Sequence, residues 1–238
     1  MVWMVIASLC AYFIKGLCGF ANTLVFSSIL SFREDNINIS PVELLLGYPT
    51  NVILAWRGRK AAEWKVSLPL ALLVLFGNIP GILLLKNVDT QQVKVLFGFV
   101  IIGLGVEMFG RERKKGRLRE SKIVLAIIGV ASGVLCGLFG IGALLAAYVS
   151  RVTDNSEAFK ANICTVFVIE NTFRIVMYSL SGIITMGTLR QAVILIPAML
   201  SGLYIGIKSS GHLNEKHVKT VVIAMLIISG AALVIENI

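Results

Sequence analysis

Eight long apolar segments follow one another along the chain, separated by short polar connections. A helix that crosses a bilayer needs about 20 predominantly apolar residues, and soluble domains carry about 25% charged residues. Here only 15% of the residues are charged. The chain is therefore predicted to be an all-α, polytopic integral membrane protein, multi-pass in the plasma membrane. The segments fall at 2–32, 41–56, 66–85, 92–110, 122–150, 161–182, 189–208 and 217–236.

The same glycine spacings occur in both halves of the chain, in the same order. Residues 16–20 read Gly-Leu-Cys-Gly-Phe, and residues 137–141, at an offset of 121, read Gly-Leu-Phe-Gly-Ile. A single pair of small residues four apart is common in membrane helices, but an ordered series of them indicates a duplication. We therefore divide the chain into an N-terminal membrane repeat (1–110), a basic cytoplasmic linker (111–121) and a C-terminal membrane repeat (122–238). Further matches, at an offset of 125, are Gly77 with Gly202 and Gly81 with Gly206.

The first and fifth segments are too long for one ordinary crossing. A continuous helix over 2–32 would be roughly 46 Å long at 1.5 Å per residue, whereas the hydrocarbon core is about 30 Å thick. Both segments carry glycines near their middles, where a helix is weakest. We predict that each segment is a re-entrant hairpin of two half-helices.

The basic residues of the connections support these hairpins. If all eight segments crossed the membrane, the two sides would carry 12 and 8 Lys and Arg. With two hairpins the split becomes 16 against 4, which the positive-inside rule favours. The predicted fold is two inverted repeats, each with one broken hairpin plus three transmembrane helices, and both termini lie outside.

The net charge of +9 lies mainly in the connections, with seven basic residues between Arg111 and Lys122. Such runs are typical of cytoplasmic loops that face anionic lipid headgroups. We expect the lipid bilayer rather than nucleic acid to be the partner of these charges. A homo-oligomer is one option that the sequence leaves open.

The two helix breaks are the first candidate for a binding site. A half-helix N-terminus presents unpaired N–H groups and a partial positive charge, so two such ends near the midplane could bind an anion. The alternative is that the glycines only allow close helix packing; their matching positions in both repeats favour a site. The substrate-binding candidates here are Gly19, Phe20, Asn22 and Thr23 in the first repeat, and Gly140 and Gly142 in the second.

Three charged residues lie near the middle of apolar segments, where each charge costs at least about 2.5–3.5 kcal/mol. Lys15 precedes the first break, and Glu170 and Arg174 share a helical face at i,i+4 spacing. We expect Lys15 and Arg174 to attract the anion and Glu170 to carry a proton. The alternatives are an ion pair that only neutralises itself and a Lys15 that extends to water.

Asn51 and Asn171 match at an offset of 120 residues and offer neutral hydrogen-bond donors. We predict that both contribute to the site, although polar side chains also tie membrane helices together. Glu43 is interpreted as lying nearer a segment end, where water can reach it.

Motifs of hydrolases, zinc peptidases and phosphate-binding loops are not found in the sequence, which predicts a protein that is not an enzyme. The four cysteines form no C-x-x-C pair, and His212 and His217 have no third ligand nearby in the sequence. We therefore predict no metal and no cofactor.

The tandem Gly-Leu-x-Gly-(Phe/Ile) motifs, each followed by three similar apolar segments, resemble the TauE/SafE family of membrane permeases over essentially the whole chain. The resemblance implies a secondary transporter for small, often sulfur-containing anions or organic acids, coupled to protons. The family commonly continues its motif as a glycine run, whereas residues 20–22 are Phe-Ala-Asn and 141–143 are Ile-Gly-Ala. The resemblance thus implies the location of the site but not its chemical preference.

The expected function is a permease for a small anion such as sulfite, a sulfonate or another organic acid. Two alternatives remain at this stage, a channel-like anion pore and a non-transporting membrane scaffold.

Overall fold

The computed structural model describes residues 2–30, 33–87, 90–113, 122–153 and 156–209, together with scattered positions between 220 and 235. This part of the chain is helical and contains no strand, so the all-α prediction is confirmed. Most of the eighth apolar segment and of the basic linker, as well as His212 and His217, lies outside the described residues.

The described ranges hold nine helices. They are α1 (Val2–Cys18), α2 (Asn22–Leu30), α3 (Asn36–Arg57), α4 (Trp64–Asn87), α5 (Thr90–Arg113), α6 (Lys122–Phe139), α7 (Ala143–Val152), α8 (Ser156–Leu180) and α9 (Met186–Ser209). Three stretches within them are long and apolar enough to cross a membrane, namely Trp64–Leu85, Glu157–Leu180 and Met186–Ser209.

Large apolar side chains point outward from these helices. On α4, Leu72 and Phe76 are 60% and 72% exposed, and on α9 Val193 is 63% exposed. The interior holds an apolar core together with buried charged and polar side chains such as Lys15 and Arg174. An outer surface this rich in large apolar side chains suits a protein that contacts lipid.

Both long apolar segments are broken at their glycine motifs, as predicted. The first break separates α1 from α2 and the second separates α6 from α7. Gly19 and Gly140 adopt φ angles of +83° and +70°, in the left-handed region that ends a helix and that glycine reaches without strain. Their N–H groups donate to the carbonyls of Lys15 and Cys136 at 2.7 and 2.8 Å, so the two breaks have the same local geometry.

Ala21 also has a positive φ, of 74°. This conformation costs an L-residue about 1–2 kcal/mol, and a glycine would adopt it freely. Here the alanine leads directly into α2, whose first hydrogen bond runs from the Val25 N–H to the Ala21 carbonyl at 3.1 Å.

The first segment folds back on itself. The Arg33 guanidinium, just after α2, lies 4.8 Å from the centre of the Trp3 ring at the start of α1. In one straight helix these residues would be about 45 Å apart. The helices α1 and α2 therefore form a hairpin, and in the second half α6 likewise packs against α7.

The first helix of each repeat packs against a helix of the other repeat. The helix α1 packs along α9, and α6 packs along α4. A Cβ atom on Gly16 would lie 2.7 Å from the Leu203 carbonyl oxygen, and one on Gly137 would lie 2.6 Å from that of Asn78. Close packing is thus the role of Gly16 and Gly137, whereas Gly19 and Gly140 form the breaks.

The helices α3 and α8 occupy corresponding positions in the two repeats and pack against each other. The Ser40 hydroxyl, near the start of α3, lies 3.0 Å from the Tyr178 hydroxyl near the end of α8. At the other end, a Cβ on Gly58 would lie 2.9 Å from the Ala161 Cβ near the start of α8. The two helices are therefore antiparallel. Inverted repeats require this arrangement, and the inverted topology itself stays a prediction.

We expect Gly16→Ala to destabilise the protein by about 1–3 kcal/mol, as overpacking does, because the new methyl group would meet the α9 backbone. Gly103→Ala on α5 is the matched control, since a Cβ there would have no described heavy atom within 4 Å. Thermal unfolding in detergent would measure both. Equal midpoints for the two variants would contradict the close packing of α1 on α9.

Candidate functional site

A cavity lies where the two helix breaks meet α3 and α8. It is lined by residues 20–24 from the first break, by Gly140 and Gly142 from the second, and by side chains of the two central helices. Its volume is about 20 Å³, which is room for a water molecule because one needs about 10–15 Å³. The cavity is therefore narrow and largely filled by the side chains around it.

Most of the residues predicted from the sequence surround this cavity. Eleven residues were predicted to form the site, and three of them, Lys15, Gly19 and Glu170, lie outside the cavity lining. Gly19 forms the first break, and its Cα faces the Lys160 side chain, where a Cβ would lie 2.7 Å from Cγ. The eight lining residues are Phe20, Asn22, Thr23, Asn51, Gly140, Gly142, Asn171 and Arg174.

Arg174 is the central charged group and is only 1% exposed. Its Nη1 donates to the Cys136 carbonyl at 2.6 Å, and its Nη2 lies 3.4 Å from Asn171 Oδ1. Its Nε is 3.6 Å from Glu170 Oε1, so the ion pair predicted from the i,i+4 spacing is present. A second carboxylate, Glu43 Oε2, is 3.9 Å from Nη2. One buried cation is thus shared between two carboxylates, one from each repeat.

The interpretation of Glu43 as water-accessible is wrong. The residue is 2% exposed, lines the cavity and accepts a hydrogen bond from the Asn22 side-chain amide. The apolar segment begins at residue 41, but the helix already begins at Asn36, which places Glu43 about two turns inside it. The signal was present in the sequence, since Glu43, Gly47 and Asn51 recur at i, i+4 and i+8 and share one helical face.

Lys15 is fully buried, so the alternative in which it extends to water is wrong. Its Nζ donates to Asn51 Oδ1 at 2.7 Å and lies 3.5 Å from the Gly47 carbonyl oxygen. The lysine also lies in the last turn of α1, where a cation is favoured by the helix dipole. Because Oδ1 of Asn51 accepts from Lys15, its NH₂ end is the end left to donate to a ligand.

Glu170 lies behind Arg174, away from the cavity lining, and is 1% exposed. The Asn78 side-chain amide, on α4 of the first repeat, donates to Glu170 Oε1 at 2.7 Å. In the sequence, Asn78 is distinguished only by its position between Gly77 and Gly81, two glycines of the repeated pattern. The structure gives it a specific contact, because it holds a carboxylate of the other repeat.

Both helices that follow the breaks begin at the cavity. Asn22 is the first residue of α2, and Gly142 directly precedes α7. The first hydrogen bonds of these helices reach only the carbonyls of Ala21 and Gly142, from Val25 and Ala146. The preceding N–H groups therefore present partial positive charge at the cavity. Together with Arg174 they form a surface suited to an anion.

Polar contacts lie on both sides of the cavity along α8. One turn beyond Arg174, the Tyr178 hydroxyl donates to the Gly137 carbonyl at 3.0 Å. Toward the start of α8, Lys160 Nζ donates to the Leu17 carbonyl at 3.2 Å. Each contact joins α8 to the C-terminal end of a broken helix, so α8 is tied to both broken segments, at one point on each side of Arg174.

Within the described ranges, no group of three or more His, Cys, Asp or Glu is arranged to hold a metal ion. The polar groups at the cavity are instead one guanidinium, one carboxylate, three amides and a hydroxyl. This set can hydrogen-bond an anion and exchange protons with it.

We expect Arg174→Gln to destabilise the protein by about 3–5 kcal/mol, because removing one partner of a buried ion pair leaves the other charge uncompensated. Adding Glu43→Gln and Glu170→Gln to this variant should recover most of the lost stability, since no unpaired carboxylate then remains. Thermal unfolding in detergent would test both expectations. A triple variant no more stable than Arg174→Gln alone would show that the carboxylates are not held by Arg174.

Comparison with known proteins agrees with the resemblance seen in the sequence. The model of the family described as sulfite exporter TauE/SafE matches residues 4–233, which include both helix breaks and all the site residues. No curated protein and no solved structure matches the chain at a significant level. Members of the matched family are transporters rather than enzymes. The chain belongs to the sulfite exporter TauE/SafE family, and it is an integral membrane transport protein.

Proposed function

We propose that the protein is a secondary transporter of the plasma membrane that moves a small anion in a proton-coupled cycle. The substrate class is sulfite, a sulfonate or another small organic acid. The observation that carries the proposal is the buried Arg174 in a cavity where two half-helices begin. A guanidinium binds sulfonate-like or carboxylate oxygens through two parallel N–H bonds.

Neutral donors complete the proposed anion site. Asn22, Thr23 and Asn51 belong to the first repeat, and Asn171 belongs to the second. Amides and hydroxyls can hydrogen-bond an anion without holding it by net charge, which suits a site that must also release its substrate.

Glu170 is the proposed proton carrier. Its carboxylate oxygen Oε1 lies 3.6 Å from Arg174 Nε. A proton on Glu170 removes this competitor, so Arg174 can pair with an incoming anion. Anion binding and proton binding then favour each other, which is the requirement for coupling.

The proposed cycle opens the cavity to one side at a time. The two contacts that flank it, Tyr178 to Gly137 and Lys160 to Leu17, provide a separate closure on each side. The antiparallel packing of α3 against α8 supports inverted repeats. The 16-to-4 split of Lys and Arg between the two sides supports re-entrant hairpins with both termini outside. A channel would need both closures open together, and a scaffold has no use for a buried cation in a cavity, so the carrier is favoured over both alternatives.

Liposomes that contain the purified protein should accumulate sulfite when the outside is more acidic than the inside, so that protons flow inward. Arg174→Lys keeps the charge but loses the bidentate geometry, and we expect its KM for sulfite to rise about tenfold, the equivalent of 1.4 kcal/mol. Arg190→Lys, at an exposed position on α9, is the matched control and should behave as wild type. If wild-type liposomes moved none of sulfite, a sulfonate or a carboxylate, the proposed function would be wrong.

We expect Glu170→Gln to weaken the response of sulfite accumulation to the pH gradient. Glutamine retains an oxygen that can accept from Asn78 but binds no proton at neutral pH, so one coupled proton is lost. Exchange of internal for external sulfite at equal pH should persist, because it needs no net proton movement. Glu63→Gln, at an exposed position, serves as the control. An unchanged dependence on the pH gradient would exclude Glu170 as a proton carrier.

A further inference from the structure

Glu43 is a buried carboxylate that the proposed proton step does not use. It reaches Arg174 from the first repeat, with Oε2 3.9 Å from Nη2, while Glu170 approaches Nε from the second repeat at 3.6 Å. Glu43 also lines the cavity, and Glu170 does not. An anion that pairs with Arg174 therefore comes closest to Glu43.

Several helices place titratable or polar side chains near Glu43. The helix α1 contributes Tyr12, whose hydroxyl lies 3.4 Å from the Glu43 carbonyl oxygen, and the buried Lys15. The helix α2 contributes the uncharged Asn22 and Thr23. The described parts of α4, α5 and α9 contribute nothing to the cavity lining. The remaining titratable groups are Glu170, Arg174 and Tyr178 from α8 and Cys136 from α6.

The four buried charges of this region sum to zero. Lys15 and Arg174 are balanced by Glu43 and Glu170, and each of the four is at most 2% exposed. A dianion in the cavity would leave two negative charges uncompensated, which a buried site tolerates poorly. One proton on each carboxylate restores neutrality, because the two cations then balance the two charges of the anion.

From this balance we propose that Glu43 is a second proton-binding residue and that each cycle moves one dianion together with two protons. The inference rests on the proposed transport function and specifies its coupling. One proton adds to a carboxylate oxygen of Glu43 and one to Glu170 as the dianion pairs with Arg174. On the opposite side of the membrane the dianion and the two protons leave, and both carboxylates pair with Arg174 again.

Transport is then electrically neutral. The site carries no net charge when empty and none when loaded, so the membrane potential does no work on either state. At equilibrium the ratio of internal to external sulfite equals the square of the ratio of external to internal proton concentration. It does not depend on the membrane potential. With Glu43→Gln only one proton accompanies the dianion, so each turnover moves one net negative charge.

Wild-type liposomes provide the first test, with sulfite as the probe at an alkaline pH where it is a dianion. With a tenfold potassium gradient clamped by valinomycin, each net charge moved per sulfite shifts the equilibrium accumulation ratio by about tenfold. We expect no shift for wild type, and about a 100-fold change in the ratio for a tenfold proton gradient. A shift of about tenfold with the potential would overturn the two-proton coupling without any variant.

The second test compares Glu43→Gln with Glu63→Gln. The glutamine at position 43 can still accept from Asn22, and a matching wild-type elution profile and unfolding midpoint would show that it folds. We expect its accumulation ratio to shift about tenfold with the same potassium gradient, and Glu63→Gln to show no shift. A Glu43→Gln protein that stays electrically neutral would overturn the role of Glu43.

These outcomes separate the inference from the function on which it rests. Absence of sulfite, sulfonate and carboxylate flux in wild type would overturn the proposed transport function, and the coupling with it. Sulfite flux with one proton per dianion would overturn only the second proton site. Flux that ignores both the pH gradient and the potential would overturn proton coupling while leaving anion transport in place.

Discussion

The rest of the site depends on one interaction, the buried guanidinium of Arg174 at the C-terminal end of α6. The Cys136 carbonyl, at the end of α6, accepts a hydrogen bond from the Gly140 N–H at 2.8 Å and a second one from Arg174 Nη1 at 2.6 Å. The break in turn makes room for the guanidinium, because a Cβ on Gly140 would lie 2.9 Å from Nη1. The cation and the broken helix therefore stabilise each other, and the carboxylates of both repeats are arranged around the charge.

Glycine serves two different purposes in each broken segment. Gly16 and Gly137 bring α1 against α9 and α6 against α4, where a side chain would meet backbone atoms. Three residues later, Gly19 and Gly140 take a left-handed conformation and end the helix. Each broken segment is thus fixed to the opposite repeat just before it turns, so the break is held in place by the other half of the molecule.

The sequence predicted the features that follow from length and spacing. The mismatch between a 31-residue segment and the bilayer located both breaks, and i,i+4 spacing paired Glu170 with Arg174. The position of Glu43 was wrongly predicted, because residues 36–40 (Asn-Ile-Asn-Ile-Ser) belong to the helix although they precede the apolar segment. The exchange of partners between repeats was also missed, since a glycine spacing indicates close packing but not the identity of the neighbouring helix.

The two helix breaks have the same local geometry, but the charged residues of the two repeats do not correspond. At the offsets that relate the repeats, Glu170 and Arg174 correspond to Thr50 and Leu54, and Lys15 corresponds to Cys136. Even so, the first repeat contributes one buried cation and one buried carboxylate, and so does the second. The buried charges of each repeat then sum to zero. Separating two bodies whose buried charges cancel meets a much smaller electrostatic barrier than separating a net positive buried site from a net negative one. The asymmetric placement of four charges on a duplicated scaffold therefore suits two halves that must move relative to each other while keeping an ion site between them.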